Sequence, residues 1–153
     1  MNQELSAAIA IANKHAERLQ YAITQLSHKF PLSAVKIDHL TNEDIAVLEL
    51  FTSRFAKLQD FMGTKLYPLF LKIVEQEDID STTFIDKLNK LEKLRIIDSA
   101  HKWKEMRNTR NHISHEYPND PGLAATHLNA AYNMAPELLK YLATVILACK
   151  KIN

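Results

Sequence analysis

The segment from Arg110 to Tyr117 holds the residues of this chain whose types and spacing are most specific to one chemistry. It reads Arg-Asn-His-Ile-Ser-His-Glu-Tyr and precedes Pro118. Arginine keeps its charge at any physiological pH and grips phosphate oxygens with a planar fork of N–H donors. Histidine takes up and returns a proton near neutrality. Together they suffice, in principle, for metal-free cleavage of a phosphodiester in RNA.

Two arginine–histidine pairs in this region have the same spacing, Arg107 with His112 and Arg110 with His115. On a helix of about 100° per residue, one set of polar side chains falls within roughly 80° of Arg107. The set comprises Arg107, Arg110, Asn111, Ser114, His115 and Tyr117. His112 falls roughly 140° away, so the spacing favours Arg110 and His115 as the reacting pair.

The remaining positions of the motif helix predict which sides face water and which face the core. His112 lies beside Glu105 and Thr109, on the side expected to face water, whereas Met106 and Ile113 mark the side expected to face the core. Because a residue before proline avoids helical angles, the helix should end close to Pro118. We therefore expect Glu116 and Tyr117 at the mouth of a groove.

The octapeptide resembles the Arg-Asn-x3-His-x-Tyr form of the Arg-x4–6-His motif of HEPN domains, and most closely that of HepT-like ribonuclease toxins. Three flanking blocks are similar to blocks of the same group and extend the resemblance from about Leu48 onward. These blocks are 54–60, 84–94 and 115–121. Residues 1–40, an N-terminal helix and loop, lie outside the matched region, and we expect one domain over 1–153.

The resemblance implies an all-helical domain that forms a homodimer in which two motif helices face each other across a cleft. It implies that Arg110 and His115 are catalytic, and that RNA is the substrate. It also implies a partner, a minimal nucleotidyltransferase of the MntA kind, which neutralises the toxin by adenylylating the motif tyrosine, here Tyr117. On this basis Asn111, Arg107 and Ser114 are expected to support the site or to contact RNA.

Two other interpretations of the motif stay open at this stage. Related small helical proteins with a similar motif are regarded as non-catalytic, substrate-binding partners of nucleotidyltransferases. Alternatively, the chain is a helical adaptor that uses the polar motif only at a dimer interface. A catalytic histidine and an interface histidine are the same residue in sequence.

Composition agrees with an all-α fold, an up-and-down bundle of about five helices. Hydrophobic residues make up 46% of the 153 residues, glycine occurs twice, and no strand-like alternation is present. A single cysteine, Cys149, excludes an internal disulfide and is expected in the core of the last helix. No signal peptide and no membrane-spanning run is evident, so we expect a soluble, cytoplasmic protein that needs no cofactor.

Local signals place the five helices. The first spans Leu5 to Leu26 and leads into a loop over His28 to Leu40. Thr41 should cap a long second helix that Gly63 and Pro68 bend. Ser81 should cap the third helix, and Asp98 or Ser99 the motif helix. Asp120-Pro121 should open a last helix over Leu123 to Ile152.

Residues 86–112 carry eight Lys or Arg against four Asp or Glu, although the net charge of the whole chain is only +1. Such a local surplus would attract a phosphate backbone, yet lysines on exposed helix faces are equally compatible with it. Trp103 lies on the motif face and is expected to pack in an interface rather than to stack a base. His112 and His115 alone do not make a zinc site, and no metal is expected. His15, His28, His39, His101 and His127 suggest no partner pattern.

Overall fold

A computed structural model describes residues 1–75, 78–115 and 117–152, and every regular element in these ranges is helical. The α-helices are α1 Gln3–Leu26, α2 Ala34–Asp38, α3 Asn42–Phe61, α4 Tyr67–Glu75, α5 Phe84–Lys93, α6 Ala100–Ile113 and α7 Pro121–Lys150. A π-helical segment, Met62–Leu66, joins α3 to α4, and a 3₁₀ turn, Ile79–Ser81, precedes α5. The prediction of an all-helical fold is confirmed, although the described ranges contain seven α-helices rather than about five.

Most helix starts follow the predicted capping signals. Thr41 and Asp44 form a reciprocal capping box, in which the Thr41 hydroxyl accepts from the Asp44 N–H at 3.1 Å. The Asp44 carboxylate accepts from the Thr41 N–H at 3.2 Å, and this bond lowers the pKa of Asp44. Ser99 caps α6 and Asp120 caps α7 through their side-chain oxygens.

The predicted cap at Ser81 is wrong. Thr83 caps α5 by accepting from the Asp86 N–H at 3.1 Å, because the chain first makes the 3₁₀ turn Ile79–Ser81. The Ser81 hydroxyl instead donates to the Asp78 carbonyl within that turn. Both residues suit a cap, and the extra turn moves the helix start by two positions.

The predicted bend near Gly63 and Pro68 coincides with the π-helical segment. This segment interrupts the regular hydrogen-bond ladder between α3 and α4. Pro68 has no N–H and so cannot take part in that ladder. Single-turn π segments of this kind frequently occur near functional sites.

The predicted loop over His28 to Leu40 is only partly a loop, because it contains the short helix α2. Asn129 holds this segment against α7. The Asn129 side chain accepts from the Leu32 N–H at 2.7 Å and donates to the Leu32 carbonyl at 2.9 Å. The Phe30 ring stacks on Tyr132 with centroids 3.9 Å apart. These contacts tie the segment between α1 and α3 to the last helix, α7.

The core draws on α1 and on α3 to α7 together. Its largest fully buried side chains include Phe51, Phe55, Leu58, Tyr67, Trp103 and Tyr141. Helix α1 packs along α3, where Arg54 donates to the His15 Nδ1 at 3.0 Å. Burial, then the nearby Arg54 and Lys57, lowers the pKa of His15. Cys149 is buried as expected, and burial raises its pKa to about 11.

The turn after α5 sets the start of the motif helix α6. Arg95 has φ 60°, in the left-handed region. Its N–H donates to the Glu92 carbonyl and the Ile96 N–H donates to the Leu91 carbonyl, which together form a Schellman cap. Ile96 and Leu91 are both buried, and the Glu92 carboxylate then accepts from the Ala100 N–H at 2.8 Å.

Over the described ranges, none of the helices has the length and apolar character that crossing a membrane would require.

Candidate functional site

Helix α6 packs against α3, α5 and α7, and this decides which of its side chains are available. Trp103, Met106 and Thr109 are buried, and Arg110 and Ile113 are half-buried. The prediction that Thr109 faces water is wrong, because neighbouring helices cover α6 on more than one side. Arg107, Asn111 and His112 are exposed, together with Lys104 and Asn108.

Trp103 is a core residue and offers no surface to a base. Its indole is fully buried and packs against Tyr67 at 5.0 Å and Tyr141 at 6.4 Å between ring centroids. The expectation that it packs rather than stacks a base is therefore confirmed.

Arg110 is held from α3 by a carboxylate. One terminal nitrogen of its guanidinium donates to the Asp60 Oδ2, and the other donates to the Asn111 Oδ1 at 3.0 Å. The Arg110 side chain is 31% exposed and that of Asp60 46%. The guanidinium thus has a fixed plane, but its charge is partly neutralised in this state. Asn111 orients Arg110 rather than His115.

Arg107 lies on the same side of the helix as Arg110 and borders a small recess. Its guanidinium carbon sits 5.1 Å from the centre of the Phe84 ring, in a cation–π contact. The recess, of about 60 Å³, is lined by Gln59, Asp60, Gly63, Thr64, Phe84 and Arg107. Asp60 therefore contacts Arg110 and lines the same recess as Arg107.

The motif helix ends at Ile113, earlier than the helical projection required. Ser114 is its C-cap, and the Ser114 hydroxyl donates to the Arg110 carbonyl at 2.8 Å. The projection therefore does not apply to His115 and Tyr117, which are placed by the turn that follows. His115 is exposed, and its N–H donates to the His112 carbonyl at 3.2 Å. Among the described residues, none forms a hydrogen bond with the His115 ring; Glu116, next to it, lies outside them.

Tyr117 turns back toward the end of α6. Its hydroxyl donates to the His112 carbonyl at 3.1 Å, and its ring stacks on His127 of α7 at 5.3 Å between centroids. Tyr117 is half-buried, so it is neither a core tyrosine nor a free phenol. Tyr117 therefore lies at the protein surface, beside the C-terminal end of α6.

His112 faces away from the core as predicted, but it has a partner that the sequence did not reveal. Its ring stacks on His127, with centroids 4.2 Å apart and planes 10° from parallel. His127 follows His112 by fifteen residues and lies in a different helix. Since no local spacing relates the two, only the packing of α6 against α7 identifies this pair.

Nearby acids neutralise part of the basic surplus around α6. Lys102 pairs with Glu137 at 3.5 Å and with Asp98 at 4.0 Å. Arg107 and Lys104 remain exposed on the surface of α6. Across residues 1–75, 78–115 and 117–152, no group of three His, Cys, Asp or Glu side chains could hold a metal ion.

Comparison with known proteins adds no relative: no protein-family model, no curated protein and no solved structure matches this chain.

Proposed function

We propose that this protein is a metal-independent endoribonuclease toxin of the HepT-like HEPN kind. The observation that carries the proposal is the placement of the motif residues at one end of α6. Arg110 is half-buried and held in a fixed plane by Asp60 and Asn111, while His115 is exposed just past the helix end. A cation held in place and an accessible imidazole five residues further along the chain are the two kinds of group that phosphodiester transfer needs.

In the proposed reaction, His115 removes the proton from a ribose 2′-hydroxyl. The 2′-oxygen attacks the adjacent phosphorus, and Arg110 stabilises the negative charge of the pentacoordinate state. The bond to the 5′-oxygen breaks, and His115 of the second protomer gives that oxygen a proton. The products are a 2′,3′-cyclic phosphate and a free 5′-hydroxyl. Arg107 adds a second positive charge to the site that binds the phosphate.

The reaction needs both a base and an acid, and one protomer supplies a single His115. A two-fold dimer with α6 facing its copy supplies both, and it gathers two Arg110 side chains around one phosphate. The exposed side of α6 is polar, with Lys104, Asn108 and Asn111 on it. Two such polar surfaces, facing each other in the dimer, would line a cleft that RNA can enter.

We propose a minimal nucleotidyltransferase as the neutralising partner and Tyr117 as its target. AMP on Tyr117 would add a phosphate and bulk close to the motif, compete with RNA for Arg110 and block access. Among the described residues, the hydroxyl of the half-buried Tyr117 bonds to the His112 carbonyl alone, at the protein surface. Breaking this bond and the ring contact with His127 frees the hydroxyl for transfer.

One observation favours a second candidate, a non-catalytic partner of a nucleotidyltransferase. The Arg110 charge is already paired with Asp60, as would suit a residue with a structural role. In that case the motif binds a nucleotide or the partner protein, and no RNA is cleaved.

Expression in bacteria and mapping of modified peptides separate the two candidates. The first predicts that wild-type protein arrests growth and that Arg110→Ala and His115→Ala do not. It also predicts that ATP, Mg²⁺ and the cognate nucleotidyltransferase add AMP to Tyr117, that Tyr117→Phe is not modified, and that modification ends the arrest. Growth unaffected by wild-type protein at matched expression, or a Tyr117 that stays unmodified, contradicts the toxin proposal and favours the second candidate.

A further inference from the structure

The three rings of His112, His127 and Tyr117 form a continuous stack that joins α6, α7 and the connection between them. His127 is common to both contacts, at 4.2 Å from His112 and 5.3 Å from Tyr117 between centroids. The Tyr117 hydroxyl also donates a hydrogen bond to the His112 carbonyl. The Tyr117–His127 contact and the Asp120 side chain, which accepts from the Leu123 N–H, join the described part of this connection to α7.

The stack tolerates one proton but not two. A single imidazolium can lie over a neutral ring, whereas two imidazolium rings 4.2 Å apart repel each other. His112 is exposed and His127 half-buried. Burial, and then the charge on His112, lowers the pKa of His127 from its usual value of 6.5.

In the part of the chain that the structure describes, few charged side chains lie on those sides of α6 and α7 that carry the pair. The first four turns of α7 contain no Lys, Arg, Asp or Glu, and the Asp120 carboxylate accepts from the Leu123 N–H at the helix start. On α6 the nearest acid on the same side as His112 is Glu105, which is paired with His101. The described part of the connection contributes the neutral Tyr117, Asp120, and His115, whose N–H donates to the His112 carbonyl; Glu116 lies outside the described residues. Each imidazole therefore has the other, 4.2 Å away between centroids, as a stacked neighbour that can carry a positive charge.

We propose that the His112–His127–Tyr117 stack is a proton-operated latch, closed while at most one imidazole is charged and opened by the second proton. Opening frees the Tyr117 ring and hydroxyl and releases the connection that carries His115. The latch itself does not depend on any activity of the protein. Its consequence for modification of Tyr117 rests on the proposed function.

Nuclear magnetic resonance of the isolated protein tests the latch without RNA or a partner enzyme. The histidine ring signals are followed from pH 8 to pH 4.5, and the proximity of the Tyr117 and His127 rings is measured at both ends. We expect the rings to be stacked at pH 8 and to separate once His127 is protonated, at a pH below 6.5. His127→Phe keeps a flat ring without a charge, so in this variant Tyr117 should stay stacked at both pH values.

His112→Phe serves as a second variant, because it also removes one of the two charges and leaves His127 in place. It too should keep the stack closed at low pH. Rings that stay stacked in the wild type when both histidines are protonated overturn the latch, and so do rings that separate at low pH in both Phe variants. Failure of the latch leaves the ribonuclease proposal untouched, since neither RNA nor AMP enters the measurement.

Discussion

The Asp60 carboxylate of α3 binds the Arg110 guanidinium of α6, although the two residues are fifty positions apart in the chain. The contact fixes the plane of the Arg110 guanidinium and also partly neutralises its charge. A phosphate that binds Arg110 must therefore compete with Asp60. Because both side chains are about a third exposed or more, water screens this ion pair and it contributes little to binding.

Removing the Asp60 charge should strengthen RNA binding. In a His115→Ala background, which prevents cleavage, Asp60→Asn should lower the Kd for single-stranded RNA by up to about fivefold, the factor that corresponds to an exposed ion pair. Fluorescence anisotropy at fixed salt measures this. Asp38→Asn on α2 makes the same change in net charge at an exposed site and should have much less effect. Equal effects of the two variants would mean that Asp60 does not compete for Arg110.

Engineered disulfides across the proposed dimer axis test the arrangement of α6. Lys104→Cys, Asn108→Cys and Asn111→Cys place thiols along the exposed side of the helix, and at least one should cross-link its copy on mild oxidation. The native Cys149 is buried, with a pKa raised to about 11, and stays unreactive. Lys14→Cys on α1 is the exposed control.

Two results would contradict the dimer. One is sedimentation as a monomer at micromolar concentration. The other is a dimer in which none of the three α6 variants cross-links while Lys14→Cys does.

Arg95→Gly should stabilise the protein. Arg95 holds φ 60°, a conformation that costs a residue with a side chain about 1 kcal/mol or more and that glycine adopts freely. We expect the free energy of unfolding to rise by about 0.5–1 kcal/mol in urea titration. Arg95→Ala retains the strained Cβ and should bring no gain. If alanine stabilises as much as glycine, the conformation of the turn is not the cause.

Stability should fall in mild acid, partly through His15. The pKa of His15 is lowered in the folded protein, mainly by burial and then by Arg54 and Lys57, so the unfolded chain binds the proton more readily. The free energy of unfolding is therefore fully retained above about pH 6.5 and decreases as the pH falls from there toward the lowered value. Urea midpoints at pH 7.5 and pH 5.0 should differ less for His15→Gln, whose amide still accepts from Arg54. An unchanged difference would exclude His15 as a source.

The parts of this structure that local chemistry determines could be predicted from sequence. The caps at Thr41, Ser99 and Asp120 depend on residues three positions apart, and periodic apolar residues mark the helices. The Asp60–Arg110 contact and the stack of His112 on His127 could not be predicted, because each joins different helices. The exact end of α6 also escaped prediction. Pro118 requires the helix to stop before it, but does not say at which residue the turn begins.

In the proposed mechanism Arg110 and His115, rather than Arg107 and His112, carry out cleavage. The most direct measurement is cleavage of a labelled single-stranded RNA with excess EDTA, followed by analysis of the product ends. Wild-type protein should give 2′,3′-cyclic phosphate and 5′-hydroxyl ends, and Arg110→Ala and His115→Ala should each lose a factor of about 10²–10⁴ in rate. His112→Phe, which keeps the ring stacked on His127, should remain within about tenfold of wild type. Intact RNA with the wild-type protein, or equal loss in His112→Phe with the fold preserved, would contradict the mechanism.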